Sequence, residues 1–168
     1  MKVLSLDQST TCSGYAVFID GKYDHSGVVD LHLIKDTNVR FKRMYEELYK
    51  LVENEKPDRV VIEDTQAQGG NMAVFKLLCQ LQGILIGVFY AKGIPFTVMT
   101  PTHWRNILEY KQGPKVKRAE LKQQSKDYAK EHFGLTGKED MLEAVCIGAA
   151  YCIEYDIKNI ADDGIDIE

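Results

Sequence analysis

The chain opens with a run of alternating apolar and polar residues that predicts three antiparallel strands. Residues 2–7, 14–19 and 22–31 each carry a strand pattern, and the first of them ends on the carboxylate of Asp7. Asp20-Gly21 lies between the second and third runs and is typical of a two-residue hairpin, because the glycine tolerates a positive φ. The opening segment is therefore predicted to be a three-stranded meander.

Helical and strand patterns then alternate along the rest of the chain. Asn38 is a suitable N-cap for a helix whose apolar residues recur at helical spacing as far as Lys56-Pro57. The other predicted elements are strands at residues 59–64 and 95–100 and helices at residues 72–91, 101–109, 116–133 and 139–155. We expect an α/β fold in which helices flank one mixed five-stranded sheet. Residues 1–158 would form a single domain, followed by an acidic tail at residues 159–168.

The composition is that of a globular protein, and its cysteine pattern favours reduced thiols. Of the 168 residues, 45% are hydrophobic and 27% are charged, which excludes a disordered or fibrous chain. The four cysteines form no Cys-x-x-Cys pair, and Asp7 interrupts the N-terminus too early for a signal peptide. The apolar residues 72–90 are interrupted by Lys76, Gln80 and Gln82. We therefore expect a cytoplasmic protein with no membrane span.

Basic residues are concentrated in one segment of an otherwise acidic chain. The formal net charge is -4, yet residues 111–130 contain seven basic and only two acidic residues. Arg118, Lys122, Lys126 and Lys130 follow one another at four-residue steps on a predicted helix. Such a stripe is either a solvated helix face or a surface for the DNA backbone.

Four acidic residues are candidates for a shared cation site. Asp7 and Glu63 each end a predicted central strand, and parallel neighbours would bring both carboxylates to one edge of the sheet. Asp140 and Glu143 share one face at the start of the last helix. Converging carboxylates need a hard cation, and oxygen-only ligands favour Mg²⁺ or Mn²⁺. The alternative is that the strand-end acids are solvated and that the two helical acids only favour a helix N-terminus.

The order of these motifs resembles the RuvC-type Holliday junction resolvases of the RNase H-like superfamily, particularly those carried by phages of Gram-positive bacteria. Residues 4–10, Leu-Ser-Leu-Asp-Gln-Ser-Thr, followed by Gly14-Tyr15-Ala16-Val17, are similar to the first-acid strand and hairpin of that family. Residues 60–63, Val-Val-Ile-Glu, are similar to the second-acid strand, and Asp140-x-x-Glu143-Ala144 is similar to the last motif. The likeness extends from Lys2 to about Tyr155.

This resemblance implies an RNase H-like fold and a Mg²⁺-dependent endodeoxyribonuclease that resolves Holliday junctions and leaves 5′-phosphate ends. Asp7 would bridge two ions, Glu63 would hold one of them, and Asp140 and Glu143 would hold the other, with Mn²⁺ as a substitute. The resemblance places Arg105, Lys115 and Lys117 beside the DNA, and Arg118 and Lys122 from the basic stripe complete the predicted DNA-binding set. A two-fold homodimer would cut the two strands symmetrically.

Two departures from the family pattern affect these expectations. The family usually ends its last motif with a second aspartate, so Glu143 must reach the cation with one more methylene, and Glu139 is an alternative ligand. Bacterial members also carry an aromatic side chain after the second acid, where residues 65–70 here read Thr-Gln-Ala-Gln-Gly-Gly. Without a stacking side chain, we expect looser selectivity that extends to forks and other branched DNA.

Two other functions remain open at this point. Residues 7–11, Asp-Gln-Ser-Thr-Thr, resemble the first phosphate loop of the sugar-kinase and actin-like ATPases, although those proteins need two such domains. The fold could also serve a branched-DNA-binding protein without catalysis. ATP hydrolysis or thermal stabilisation by nucleotide would support the first alternative, and divalent-ion dependence of cleavage separates a nuclease from the second.

Overall fold

The computed structural model describes residues 1–67 and 71–157 as one mixed sheet between two layers of helices. The strands are β1 (Lys2–Asp7), β2 (Cys12–Ile19), β3 (Lys22–Asp30), β4 (Arg59–Glu63) and β5 (Phe96–Met99). The helices are α1 (Thr37–Glu55), α2 (Met72–Lys92), α3 (Pro101–Ile107), α4 (Arg118–Phe133) and α5 (Glu139–Glu154). All ten predicted elements are present in the predicted order, whereas the predicted acidic tail at residues 159–168 lies outside the described residues.

The sheet has the strand order β3-β2-β1-β4-β5. β1, β2 and β3 form the predicted antiparallel meander, while β1, β4 and β5 run parallel to one another. Asp20 and Gly21 both have positive φ values, 50° and 72°, as the predicted hairpin turn requires. The two strands that end in Asp7 and Glu63 are therefore parallel neighbours inside the sheet.

Side chains alternate between the two faces of the sheet along each strand, so the core consists of two layers. On one face, Leu4, Leu6 and Ile62 pack with α1 and α2. On the other face, Phe18 and Val61 pack with α3 and α5. The odd-numbered positions of β1 and β4 face α5, so Asp7 and Glu63 end on that side of the sheet.

Helix α5 lies close to the sheet because the residues at their contact are small. Ser5 Oγ donates to the carbonyl oxygen of Ala144 at 2.7 Å. A Cβ built on Gly14 would lie 1.8 Å from the carbonyl oxygen of Asp140, and one built on Gly148 would lie 2.3 Å from the Phe18 ring. The absence of side chains at these two glycines lets the first turn of α5 reach the end of β1.

Several helix ends differ from their predicted positions. The N-cap of α1 is Asp36 and not Asn38, because the Asp36 carboxylate accepts from the Val39 amide at 2.8 Å and the backbone of Asp36 is extended. Helix α3 ends at Ile107 and not at residue 109, since Glu109 adopts a left-handed φ of 59°. Helix α4 begins two residues later than predicted, because Lys117 has extended backbone at the N-cap.

Candidate active site

The four predicted acidic residues line one cavity at the carboxyl end of the parallel strands. The cavity has a volume of about 990 Å³. Asp7 and Glu63 enter it from β1 and β4, and Asp140 and Glu143 enter it from the first turn of α5. The structure thus brings together side chains that lie up to 136 positions apart in the chain through the parallel pairing of β1 with β4 and the docking of α5.

The carboxylates influence one another strongly. Burial raises the pKa of Asp7 well above its usual range, and the nearby charges of Glu63, Glu143 and Asp140 raise it further, while Lys122 opposes them. The pKa of Glu143 is raised mainly by burial and then by Glu63. Negative charge at this site is therefore only partly compensated by the protein itself.

Glu63 is held in place by two hydrogen bonds from other elements. Trp104 Nε1 donates to Glu63 Oε1 at 2.8 Å, and Gln8 Nε2 donates to the Glu63 carbonyl oxygen. Burial raises the pKa of Glu63, whereas the bond from Trp104 and the charges of Arg105 and Arg118 lower it. The bond from Trp104 therefore restrains the orientation of the Glu63 carboxylate.

The two candidate glutamates of α5 have different surroundings. Glu143 lines the cavity, with Oε1 3.9 Å from Arg105 Nη2 and with its side chain 14% exposed. Glu139 does not line this cavity and instead pairs with Lys122 and, at 3.4 Å, with Lys126. The geometry therefore favours Glu143 over Glu139 as the fourth acidic residue of the cavity.

The predicted DNA-binding residues are divided between the cavity and its surroundings. Arg105, Arg118 and Lys122 line the cavity wall beside the carboxylates. Lys115 and Lys117 are exposed and lie outside the lining, in the segment that leads into α4. The predicted basic stripe on α4 is interrupted, because Lys122 and Lys126 both pair with Glu139.

The donor set fits a hard divalent cation. Its side-chain ligands would all be oxygens, and their negative charge, which the protein compensates only in part, favours a cation over an anion. Gln8 also lines the cavity, and its buried Oε1 has no hydrogen-bond donor among the described residues. Across residues 1–67 and 71–157, however, no three His, Cys, Asp or Glu side chains lie close enough to form a ready-made cation site. The four carboxylates thus suit a cation chemically, but their side chains are not already arranged around one position for it.

The sequence motifs include Gln8 without giving it a role of its own, and they do not include Trp104. Trp104 is fully buried in the core, but its indole N–H reaches Glu63. The only available signal was the general requirement that a buried tryptophan N–H find a partner. For Gln8 no sequence signal existed beyond its position next to Asp7, because its bond to Glu63 depends on the pairing of β1 with β4.

Helix α2 is, among the described residues, the one helix long and apolar enough to cross a membrane by length and composition. Its inner face carries Leu81, Leu85 and Phe89, which pack against the sheet. A core helix of a globular domain meets the same criteria, so this property is weak evidence for a membrane span.

Comparison with known proteins gives one relative in sequence and several in fold. No family model matches the chain. The crossover junction endodeoxyribonuclease RuvC of Chlorobium phaeovibrioides is 33% identical over 106 residues, which are 60% of this chain and 56% of that protein. The alignment thus spans little more than half of the curated relative.

The solved structures that resemble the chain cover nearly all of it. RuvC of Thermus thermophilus, in complex with a Holliday junction substrate, superimposes with a TM-score of 0.73 over 94% of this chain and 96% of that chain, at 15% identity. The fowlpox virus resolvase, in complex with Holliday junction DNA, gives a TM-score of 0.62 over 92% of this chain and 98% of that chain, at 18% identity. The yeast mitochondrial Holliday junction resolvase Ydc2 gives a TM-score of 0.59 over 95% of this chain and 82% of that chain, at 17% identity. The chain therefore resembles the RuvC-type Holliday junction resolvases in sequence and has their RNase H-like fold, as its motifs predict.

Proposed function

We propose that this protein is a metal-dependent, structure-selective endodeoxyribonuclease that resolves Holliday junctions and also cuts other branched DNA such as forks. The observation that carries the proposal is the meeting of Asp7, Glu63, Asp140 and Glu143 in one cavity whose wall also carries basic residues. The likeness to RuvC in sequence and to three Holliday junction resolvases in fold supports the choice of substrate.

The carboxylates would hold the cations, and the proposed ions are two Mg²⁺, with Mn²⁺ as a substitute. Asp7 interacts with all three other acids and is the residue suited to contact both ions. Glu63 would hold one ion, and Asp140 with Glu143 would hold the other. Bound divalent cations supply an activated water and stabilise charge on the leaving oxygen, so that the nicked strand keeps a 5′-phosphate.

The basic wall of the cavity would hold the DNA backbone. Arg105 is only 17% exposed, and its Nε is buried without an acceptor among the residues that the structure describes. A phosphate oxygen is an acceptor of the required charge. Arg118 and Lys122 extend this wall along α4, and the exposed Lys115 and Lys117 would contact the duplex farther from the cut.

The loop after Glu63 would give broad selectivity among branched structures. Residues 65–70 contain no aromatic side chain that could stack in an opened junction, and residues 68–70 lie outside the described part of the chain. Selection would then depend on the shape of the branch and on the charge of its backbone. We place the protein in the cytoplasm, which is the host cytoplasm if a phage encodes it.

Resolution of a junction requires two cuts related by symmetry, so the active form would be a two-fold homodimer. The outer face of α2 is suited to this contact. It exposes Ile84 and Tyr90 at 41% and 74%, and Gly83 and Gly87 leave open space between them. A second copy of the helix could approach closely over these glycines and cover the apolar side chains.

The test is a cleavage assay with end-labelled four-way junction, fork and linear duplex, in EDTA, Mg²⁺ or Mn²⁺. The wild type should make paired nicks in the branched substrates only when a divalent ion is present. Asp7→Asn should abolish cleavage but retain DNA binding, because the basic wall is intact. The nicks should be sealed by DNA ligase, which requires a 5′-phosphate.

Other outcomes would contradict the proposal in distinct ways. Binding without cleavage in any metal would indicate a branched-DNA-binding protein. Neither binding nor cleavage, together with thermal stabilisation by ATP, would favour the nucleotide-binding alternative. Cleavage by Asp7→Asn at the wild-type rate would refute the assignment of Asp7, and cleavage of four-way junctions at least a thousandfold faster than forks would refute the broad selectivity.

A further inference from the structure

The side chain of Gln8 is held in one orientation at the cavity wall. It is only 7% exposed and follows Asp7 directly. Its Nε2 donates to the carbonyl oxygen of Glu63. A carbonyl oxygen can only accept, so the amide nitrogen must face Glu63 and the amide oxygen must point elsewhere.

That amide oxygen has no partner within the described part of the protein. Gln8 lines the carboxylate cavity, and its Oε1 is buried and has no hydrogen-bond donor among the described residues. An unpaired buried acceptor costs free energy, and native structures rarely keep one without a role. A partner that enters from outside the protein is therefore expected.

The surrounding charge limits what this partner can be. Asp7 and Glu63 line the same cavity as Gln8. A phosphate oxygen would be repelled by their negative charge, and it has no hydrogen to donate to the amide oxygen. A divalent cation, or a water that the cation orients, satisfies both the carboxylates and the neutral amide oxygen. Amide oxygens are established ligands of hard cations.

We propose that Gln8 is a neutral oxygen donor of the cation site at Asp7 and Glu63. It acts on the cation or on its water shell, and its Nε2 at the same time braces the end of β4 through the Glu63 carbonyl. Gln8 thus adds an oxygen without adding to the mutual repulsion of the four carboxylates. The inference rests on the proposed metal-dependent function and extends it by one residue.

The experiment measures Mn²⁺ affinity of the DNA-free protein by electron paramagnetic resonance of the free ion. Trp104 provides a second readout, because it is the only tryptophan of the chain and its indole contacts Glu63. Gln8→Leu removes both polar groups, and we expect it to weaken Mn²⁺ binding by about 10- to 100-fold. Gln8→Glu removes the bracing donor but keeps an oxygen, and it should bind Mn²⁺ at least as tightly as the wild type.

Two controls accompany these variants. Gln124→Leu removes a glutamine whose amide oxygen and nitrogen bond the backbone of Lys111 at 2.7 and 3.0 Å, outside the cavity, and it should leave Mn²⁺ affinity unchanged. Thermal unfolding in EDTA checks that each variant is folded. If Gln8→Leu does not fold, Gln8→Met replaces it with a flexible side chain of similar size, and the same loss of affinity is expected.

Two results would overturn the inference alone. In the first, the wild type binds Mn²⁺, Asp7→Asn does not, and Gln8→Leu stays within twofold of the wild type. In the second, Gln8→Leu and Gln8→Glu lose Mn²⁺ affinity equally. The only role of Gln8 would then be its hydrogen bond to the end of β4. If the wild type binds no Mn²⁺ at millimolar concentration, the proposed metal-dependent function fails together with the inference.

Discussion

At the scale of single residues, the cavity gathers carboxylates that are unfavourable to the folded chain on its own. Asp7 is surrounded by three other acids and is opposed by one lysine, so burial and repulsion both disfavour its ionised form. Burial also raises the pKa values of Glu63 and Glu143, and the charge of Glu63 raises that of Glu143 further. A site of this kind lowers stability until a cation neutralises it.

Asp7→Asn should therefore raise thermal stability in EDTA at neutral pH. Because the pKa of Asp7 is raised in the folded state, the folded protein binds more protons than the unfolded chain once the pH exceeds about 3.8, the ordinary aspartate value. Stability is thus lost as the pH rises from that value through the folded-state pKa, by about 1.4 kcal/mol for each pH unit. The gain in the variant should vanish at pH 3.

Calorimetric or fluorescence melting at pH 3 and pH 7 measures this difference. Addition of Mg²⁺ should stabilise the wild type more than the variant and reduce the gap, because only the wild type keeps all four of the proposed ligands. A wild type more stable than Asp7→Asn in EDTA at pH 7 would contradict the electrostatic account.

The two glutamates of α5 provide a matched pair for the ligand assignment. Glu143→Gln should lower the cleavage rate by at least 100-fold, since Glu143 lines the cavity beside Arg105. Glu139→Gln should retain cleavage within about tenfold, because Glu139 is occupied by Lys122 and Lys126. Single-turnover cleavage of a four-way junction in saturating Mg²⁺ measures both rates, and the reverse ranking would assign the site to Glu139.

At the scale of elements, the position of α5 depends on close backbone approach. The helix supplies two of the four acids, and it reaches β1 and β2 through Gly14, Gly148 and the bond from Ser5 to Ala144. Ser5 lies on the same strand face as Asp7. The strand that carries the first acid therefore also holds the helix that carries the last two.

Gly14→Ala should test this coupling between packing and the site. Its new Cβ would lie 1.8 Å from the Asp140 carbonyl oxygen, so the first turn of α5 must shift. We expect a loss of about 1–3 kcal/mol in the free energy of unfolding, as for other overpacked sites, together with weaker Mn²⁺ binding. Asn54→Ala near the end of α1, an exposed position outside the cavity lining, is the control.

Urea unfolding and Mn²⁺ titration measure the two effects of Gly14→Ala. The control should change stability only slightly and in the favourable direction, because alanine is a better helix former than asparagine. Unchanged stability and unchanged Mn²⁺ affinity in Gly14→Ala would show that α5 is not held by this contact.

At the scale of the whole molecule, one side of α2 packs on the sheet, and the other side is not covered by any of the residues that the structure describes. Leu81, Leu85 and Phe89 are buried against the sheet, while Ile84 and Tyr90 are exposed on the outer side. An apolar face of this kind, beside two glycines, favours contact with a second copy over a purely solvated role.

Ile84→Glu should convert the proposed dimer into a monomer, because it places a charge in the middle of this face. Light scattering at tens of micromolar should show a dimer for the wild type and a monomer for the variant. Leu33→Glu is a suitable control, since Leu33 is 78% exposed in the segment between β3 and α1 and lies away from α2. A wild type that is monomeric at this concentration would refute the dimer.

The monomeric variant should also separate the two cuts of a junction. Each subunit keeps its own four acids, so nicking of one strand should persist while paired nicks are lost. Paired cutting by a confirmed monomer would show that symmetry of the protein is not required.

Local patterns in the sequence determined the ten elements, their order and the strands that end in Asp7 and Glu63. Period-2 and helical spacing, the Asp20-Gly21 turn and the Lys56-Pro57 break are properties of neighbouring residues, and the structure confirms them. The resemblance of the motifs to the RuvC-type resolvases was also readable from the sequence, because the order of the acids is linear information.

Only the tertiary structure decided which side chains line the cavity and which of them bond to one another. The choice of Glu143 over Glu139 depends on the rotation of α5 against the sheet and on the lysines of α4. The bonds from Trp104 and Gln8 to Glu63 join residues 41 and 55 positions apart. The sequence specifies which side chains are available, but it takes the pairing of strands and the docking of α5 to bring a donor and an acceptor within hydrogen-bond distance, and no local pattern records that distance.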